Sequence, residues 1–241
     1  MERWITTVHE PRRLLLAWQS PNLDGNRSRF AVGEVLRGDN GGLVLRYRND
    51  EAVEEAKTLG YTGYPAFSPE KEQHSVGVRE ALLRRLPPRS RPDFAAYKAH
   101  FRLASDVHLS DMALLAYTEA KLPSDGFSLV NPLDDAEGPC QFLFEVAGYR
   151  HYAEKLKTKL EPGMPLIFVR EPTNPHDSAA IRLEASGESV GYVNRLQTGA
   201  FHRWMKDGVV RAIVDRTNGT VARPRLLMFI SVEAPPSKMV A

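Results

Sequence analysis

From Phe142 to Val232 the chain is cut into runs of four to seven apolar-rich residues, separated by Gly, Pro and Asn turns. Segments that short cannot bury themselves as packed helices, so they must pair edge to edge. Phe142–Val146 alternates, Leu166–Arg170 is continuously apolar to its last residue, and Ala179–Leu183 and Ser189–Tyr192 flank a turn at Ala185–Gly187. Val209–Asp215 and Leu226–Val232 complete the set, with Asn218-Gly219 expected at a hairpin tip. One helix interrupts them, Thr198–Lys206, with Phe201, Trp204 and Met205 on one face and Asp207-Gly208 as its stop. Several short strands at this spacing predict a small β-barrel.

The earlier part begins as sheet and ends as helix. Arg13–Trp18, Phe30–Leu36 and Leu43–Tyr47 read as strands, the last two joined as a hairpin by Gly38–Gly42, and Asn22–Arg29 as a polar loop. Helices are expected over Glu51–Leu59 (capped by Asn49, ended by Gly60), Val78–Leu86 (ended by Pro87-Pro88), Pro92–Phe101 and Ser110–Thr118, with Ser110 or Asp111 as cap. The acidic stretch Leu133–Pro139, closed by Gly138-Pro139, reads as a linker. The expected organisation is a domain over 1–132, a linker over 133–139 and a second domain over 140–241, in an α+β chain.

The net charge of +2 hides an asymmetry: from Gln141 onward there are 14 Lys and Arg against 10 Asp and Glu, and before it 18 against 20. A basic second half suits a polyanionic partner, because each neutralised phosphate releases condensed counterions, and equally suits plain solubility. The one cysteine, Cys140, rules out an intramolecular disulfide framework and fits a reducing cytoplasm. The run Leu14–Trp18 is too short to span a bilayer or to serve as the core of a signal peptide.

Three clusters in the second half combine rings with cations. They are Ala147-Gly148-Tyr149-Arg150-His151-Tyr152, then Arg170-Glu171-Pro172-Thr173-Asn174-Pro175-His176-Asp177, then Gly191-Tyr192-Val193-Asn194-Arg195. A single strand offers π-faces and phosphates, and aromatic platforms beside cations hold both, each stack being worth roughly 1–3 kcal/mol. The structural alternative is that the tyrosines are barrel aromatics and Asn174, Pro175 and Asp177 only build an Asx turn.

The order Val146-Ala147-Gly148, Tyr152, Arg170-Glu171-Pro172, Asn174-Pro175, Asp177, Ala180-Ile181, Gly191-Tyr192-Val193 resembles the HIRAN domain, over about residues 141–234. That resemblance implies an OB-like β-barrel that captures the 3′-hydroxyl end of single-stranded DNA. By position, Arg150 and His151 stand where the family has an Arg-Tyr pair whose ring stacks on a base. Asn174, His176 and Asp177 match its Asn-Pro-aromatic-Asp loop, in which the ring stacks and the acid accepts a hydrogen bond from the terminal hydroxyl. Tyr192 and Arg195 would contact phosphate or base, and Tyr149 and Tyr152 complete the set. Both stacking tyrosines of the eukaryotic version are histidines here. Histidine stacks too and, when protonated, contacts phosphate, so binding is expected to strengthen at mildly acidic pH.

Residues from about Arg13 to Phe101 bear a weaker resemblance to the N-terminal subdomain of HipA-type toxin kinases. It rests on Val32-Gly33-Glu34-Val35, Leu45-Arg46-Tyr47, Gly63-Tyr64-Pro65-Ala66-Phe67 and Leu86-Pro87-Pro88-Arg89. It implies a module that contacts a protein partner. Neither a P-loop nor a kinase catalytic loop accompanies it. The basic run Arg84–Arg91 reads as a helix end or a partner contact, and Asp106, His108, Ser110 and Asp111 lack the setting of a nucleophile. No catalytic residue, metal ligand or cofactor is expected. The rival readings are a metal-dependent nuclease using His151, His176 and Asp177, and a toxin–antitoxin-like interaction protein that does not bind DNA.

Overall fold

The computed structural model describes residues 3–21, 28–38, 41–122 and 124–234. Their contacts divide the chain into two units that interleave in sequence. One comprises Met1–His9, Lys98–Val107 and Leu133–Ala241, the other Glu10–Tyr97 and His108–Pro132.

The second of these holds a five-stranded antiparallel sheet in the order β4-β3-β2-β1-β5. Its strands are β1 (Arg13–Gln19), β2 (Arg29–Arg37), β3 (Leu43–Tyr47), β4 (Gln73–His74) and β5 (Phe127–Val130). Leu14 to Trp18 are all buried, because β1 lies between β2 and β5. That position explains an apolar run without alternation. The short strand β5, from the far end of the unit, is not among the expected strands, although Asp125-Gly126 and Asn131-Pro132 bound it on both sides. The helices of this unit are α1 (Glu51–Thr58), α2 (Val78–Leu83) and α4 (Asp111–Thr118), while α3 (Phe94–His100) begins in it and has its last turn, from Lys98, in the other.

Two expectations of cap chemistry divide. Ser110 caps α4 by accepting from Ala113 N at 3.0 Å. The cap of α1 is Asp50, not Asn49: its carboxylate accepts from Val53 N at 3.2 Å, so the polar residue nearest the helix prevails. The polar loop expected over Asn22–Arg29 lies mostly outside the described residues, as do Asp39 and Asn40 of the Gly38–Gly42 turn. That turn is closed by Gly38 N donating to Gly42 O at 2.9 Å. The basic run folds back on its own unit. Arg85 is buried and donates to both Asp125 oxygens and to the carbonyls of Ala120 and Phe127. Arg89 reaches Asp111 and Leu109 O, and Arg91 reaches Asp93.

The first unit is built on a six-stranded antiparallel sheet, order β6-β11-β10-β7-β8-β9. The strands are β6 (Cys140–Glu145), β7 (Pro165–Arg170), β8 (Ile181–Ala185), β9 (Glu188–Tyr192), β10 (Val210–Thr220) and β11 (Arg223–Val232). Its two edges meet. Ala147, just past β6, and Tyr192, the last residue of β9, exchange both backbone hydrogen bonds at 2.8 Å. The sheet therefore curls until its two end strands touch at this single bridge. Helix α5 (Thr198–Asp207) supplies Phe201 and Trp204 to the core, against Phe168 and Phe142 with ring centroids 5.3 and 6.2 Å apart.

The hairpin tip differs from expectation. Asn218 and Gly219 are paired in the ladder with Arg225 and Pro224, and the strands turn at Val221-Ala222. The Asn-Gly signal is real, but Gly219 serves a close backbone approach: a Cβ there would lie 2.3 Å from Arg223 O.

Two distant segments complete this unit. Ile5 bridges Leu103, and the amides of Thr6 and Thr7 donate to Gln141 Oε1 at 2.8 and 3.2 Å. Arg102 Nε donates to both oxygens of Asp215, the residue at the register shift of β10. The acidic stretch 133–139 is held as well: Trp204 Nε1 donates to Ala136 O, Arg203 donates to Leu133 O and Asp134 O, and His9 pairs with Asp135.

Candidate nucleic-acid interface

The antiparallel pairing places the end of β7, the start of β8, the end of β9 and the exit from β6 on one rim of the barrel. Arg170 pairs with Ile181, Arg182 with Tyr192, and Tyr192 with Ala147. All three ring-and-cation clusters therefore converge there. The closure depends on Gly191 (φ 136°), because a Cβ would stand 2.5 Å from Ala147 O and 2.7 Å from Val146 Cγ1.

Glu171 organises the rim. Its Oε2 accepts from the Tyr192 hydroxyl at 3.1 Å and from Asn174 Nδ2 at 2.9 Å, and its Oε1 accepts from Arg182 Nε at 2.5 Å. The Asn174 amide, with Arg182 and Tyr192, holds the Glu171 carboxyl below the usual carboxylate range. The Tyr192 phenol is pushed up, first by its hydrogen bond with Tyr152, then by burial and by Glu171. The two tyrosine rings sit 6.3 Å apart at 59°.

The loop after β7 is an Asx turn, as its sequence suggests. Asn174 Oδ1 accepts from the amides of His176 and Asp177 at 2.9 and 3.2 Å, and Asp177 Oδ1 accepts from Ala179 N at 2.9 Å. That turn leaves the His176 ring exposed. A brace from α5 fixes the loop: Arg170 Nε donates to His202 Nδ1, and His202 Nε2 lies 2.9 Å from Ala179 O.

The remaining residues differ in access. Gly148, at φ 74°, starts a short 3-10 turn over Tyr149–His151. Tyr149 is buried, and burial pushes its phenol up, so it supports the rim from inside. Arg150 is half-buried with its Nε 3.1 Å from the exposed His151 Nε2, and Tyr152 is half-buried. Arg195 is exposed, and its guanidinium has no partner among the described residues. Sequence reasoning gave no role to Glu171, Arg182 or His202. Strand alternation held a signal for one of them: Arg182 sits between the buried Ile181 and Leu183 and so must face outward, onto β7 and β9.

Removing the Glu171 charge gives a result with a defined pH range. A depressed carboxyl stabilises the fold above its unfolded pKa, about 4.3 for glutamate, and that stabilisation is lost as pH falls through the lower folded value. Glu171→Gln is expected to cost about 1 kcal/mol at pH 7 and to flatten the stability profile below pH ~4, read by urea unfolding at a series of pH values.

Fold and rim together define a small curled antiparallel barrel with a polar and aromatic mouth. A family model described as HIRAN domain matches residues 140–234, so the barrel strands of this unit form a HIRAN domain. Among solved structures, the HIRAN domain of human HLTF is 22% identical, with a TM-score of 0.30 over 39% of this chain and 76% of that one. A protein from Lactobacillus plantarum is 20% identical, with a TM-score of 0.28 over 40% of this chain and all of that one. No curated protein matches. The expected α+β class, with a sheet and helices in the N-terminal part and a curled OB-like sheet after it, is borne out. Among the described residues, no group of three or more His, Cys, Asp or Glu is placed to hold a metal ion, and no helix is long and apolar enough to cross a membrane.

Proposed function

We propose that the barrel rim binds single-stranded DNA and takes its 3′ end. The observation that carries this reading is the Tyr152–Tyr192 ring pair beside the Ala147–Tyr192 closure of a HIRAN domain, with the segments bearing Arg150, His176 and Arg195 leading off the strand ends paired there. Rings and cations on one surface are what a single strand needs, and the Glu171 hub fixes the tyrosines before a ligand arrives. His176 and His151 serve as stacking rings, Arg195 and Arg150 as phosphate contacts, and Asp177, whose Oδ1 is engaged by Ala179, offers Oδ2 to the terminal hydroxyl. The unit with the five-stranded sheet is assigned the contact with a protein partner, on its HipA-like segments alone.

Fluorescence anisotropy with an oligonucleotide tests the phosphate assignments. Arg195→Ala and Arg150→Ala are each expected to weaken binding and to reduce the slope of log Kd against log salt by about one. Unchanged affinity and slope in both variants would remove this face from the reading. Blocking the 3′ hydroxyl with phosphate is expected to weaken binding, and equal binding of blocked and free strands would leave a site for strand interiors. Incubation with labelled DNA and Mg²⁺ or Mn²⁺ separates the nuclease reading, which requires cleavage that His176→Ala abolishes.

A further inference from the structure

Strands β10 and β11 run on past every neighbour they have. Along β11, pairing with β6 stops at Leu227–Glu145, and along β10, pairing with β7 is confined to Ala212–Leu166 and Ile213–Pro165. From Thr217 to Arg225 the two strands pair only with each other. This two-stranded ribbon projects for four residues of β10 and three of β11 before the Val221-Ala222 turn, roughly 10–13 Å at ~3.3 Å per residue.

Its chemistry is one-sided. Opposed residues share a face, and the register sets Arg216 against Leu227, Asn218 against Arg225 and Thr220 against Arg223. One face thus carries three arginines in a ten-residue stretch, Arg216 to Arg225, that contains no Asp or Glu. Asp215 accepts from Arg216, and Glu145 accepts from Arg225 at 2.5 Å. Arg223 is exposed; its amide donates to Thr220 Oγ1 at 3.2 Å, and its guanidinium has no partner among the described residues. The tip is Val221, 93% exposed. Pro224 removes a donor from the outer edge, which protects such an arm against pairing with another sheet.

The ribbon also rises from the rim already described. Val146 N donates to Leu226 O at 2.9 Å, one residue before the Ala147–Tyr192 closure, and β11 lies against the Tyr149–His151 turn.

We infer that this ribbon is a second nucleic-acid contact, seated in the major groove of a duplex that adjoins the single strand held at the rim. The inference rests on the single-strand reading of the rim and extends it to the substrate: a duplex carrying a 3′ single-stranded tail. A major groove about 12 Å wide and 8.5 Å deep admits a two-stranded ribbon of this length, whereas a lone strand has no groove to receive it. Arg223, with Arg225 and Arg216 behind it, meets the backbone phosphates, and Val221 makes an apolar contact at the groove floor.

The test is anisotropy of the full chain with two probes that share one single-stranded sequence, alone and as the 3′ tail of a duplex. The unsubstituted protein is expected to bind the tailed duplex about five- to tenfold more tightly at moderate salt. Combining Val221→Ser with Arg223→Ala should reduce that preference to within about twofold and leave single-strand affinity unchanged, and Arg223→Glu should reverse it. Both positions are exposed, and an unaltered thermal unfolding midpoint confirms the fold. Equal binding of the two probes by the unsubstituted protein, or a preference that survives these substitutions, overturns the ribbon assignment while the rim reading stands. Binding of neither probe overturns the rim reading, and the ribbon assignment falls with it.

Discussion

Gly191→Ala is expected to destabilise the barrel unit by about 2 to 6 kcal/mol and to abolish single-strand binding even where the protein remains folded. Two costs combine. An L-residue held at φ 136° occupies a region that costs roughly 1–3 kcal/mol. The new Cβ would also lie 2.5 Å from Ala147 O and 2.7 Å from Val146 Cγ1, and overpacking of this kind costs about 1–3 kcal/mol more. The closer contact is with backbone, so turning the Val146 side chain away would not relieve it. Relief requires Ala147 to part from Tyr192, which opens the barrel and separates the first cluster from the other two. Urea unfolding checks the first part and anisotropy the second. An alanine variant with unchanged midpoint and affinity would show that closure is not needed.

Asp215→Ala is the second large effect. The Asp215 carboxylate is 4% exposed and accepts from Arg102 Nε at 2.9 and 3.2 Å, while Arg102 stacks on Trp4 with its guanidinium carbon 5.8 Å from the ring centre. Truncating one partner of a buried pair leaves the other charge without compensation, at a cost of about 3–5 kcal/mol. Arg216 also donates to Asp215 but is more exposed and keeps His100 O as a partner. Replacing Arg102 and Asp215 together, as Arg102→Met with Asp215→Leu, should therefore recover much of that loss, the buried Arg102 charge being the costlier one to orphan. The pair joins the Lys98–Val107 segment to the β10 register shift. The comparison therefore also asks whether a piece of chain far outside the matched residues 140–234 stabilises the barrel. Additive single and double substitutions would show that it does not.

How far the sequence carried the fold follows from the range over which each signal acts. Strands such as Arg13–Gln19 and Leu43–Tyr47, and the helix at Thr198–Asp207, were legible because apolar pattern and turn chemistry are local. The convergence at the rim was legible only as a motif, since neither Tyr152 nor Tyr192 carries a local sign of the other. Glu171, Arg182 and His202 stayed silent for a related reason: each is an ordinary polar residue until strand pairing brings its partner within 3.1 Å. The hairpin tip shifts from Asn218-Gly219 to Val221-Ala222, which carry no turn signal of their own, because the β10–β11 ladder continues through Asn218 and Gly219 and sets where the strands reverse. The role of Ile5 and Arg102 in the barrel unit was out of reach of any local reading.

The direct measurement is a titration of the isotope-labelled chain with a short 3′-hydroxyl single strand, followed through backbone amide shifts. Perturbations are expected to concentrate at Ala147, Arg150–Tyr152, Asn174–Asp177 and Tyr192–Arg195. Shifts confined to the five-stranded sheet unit, or none at saturating strand, would contradict a binding surface at the barrel rim.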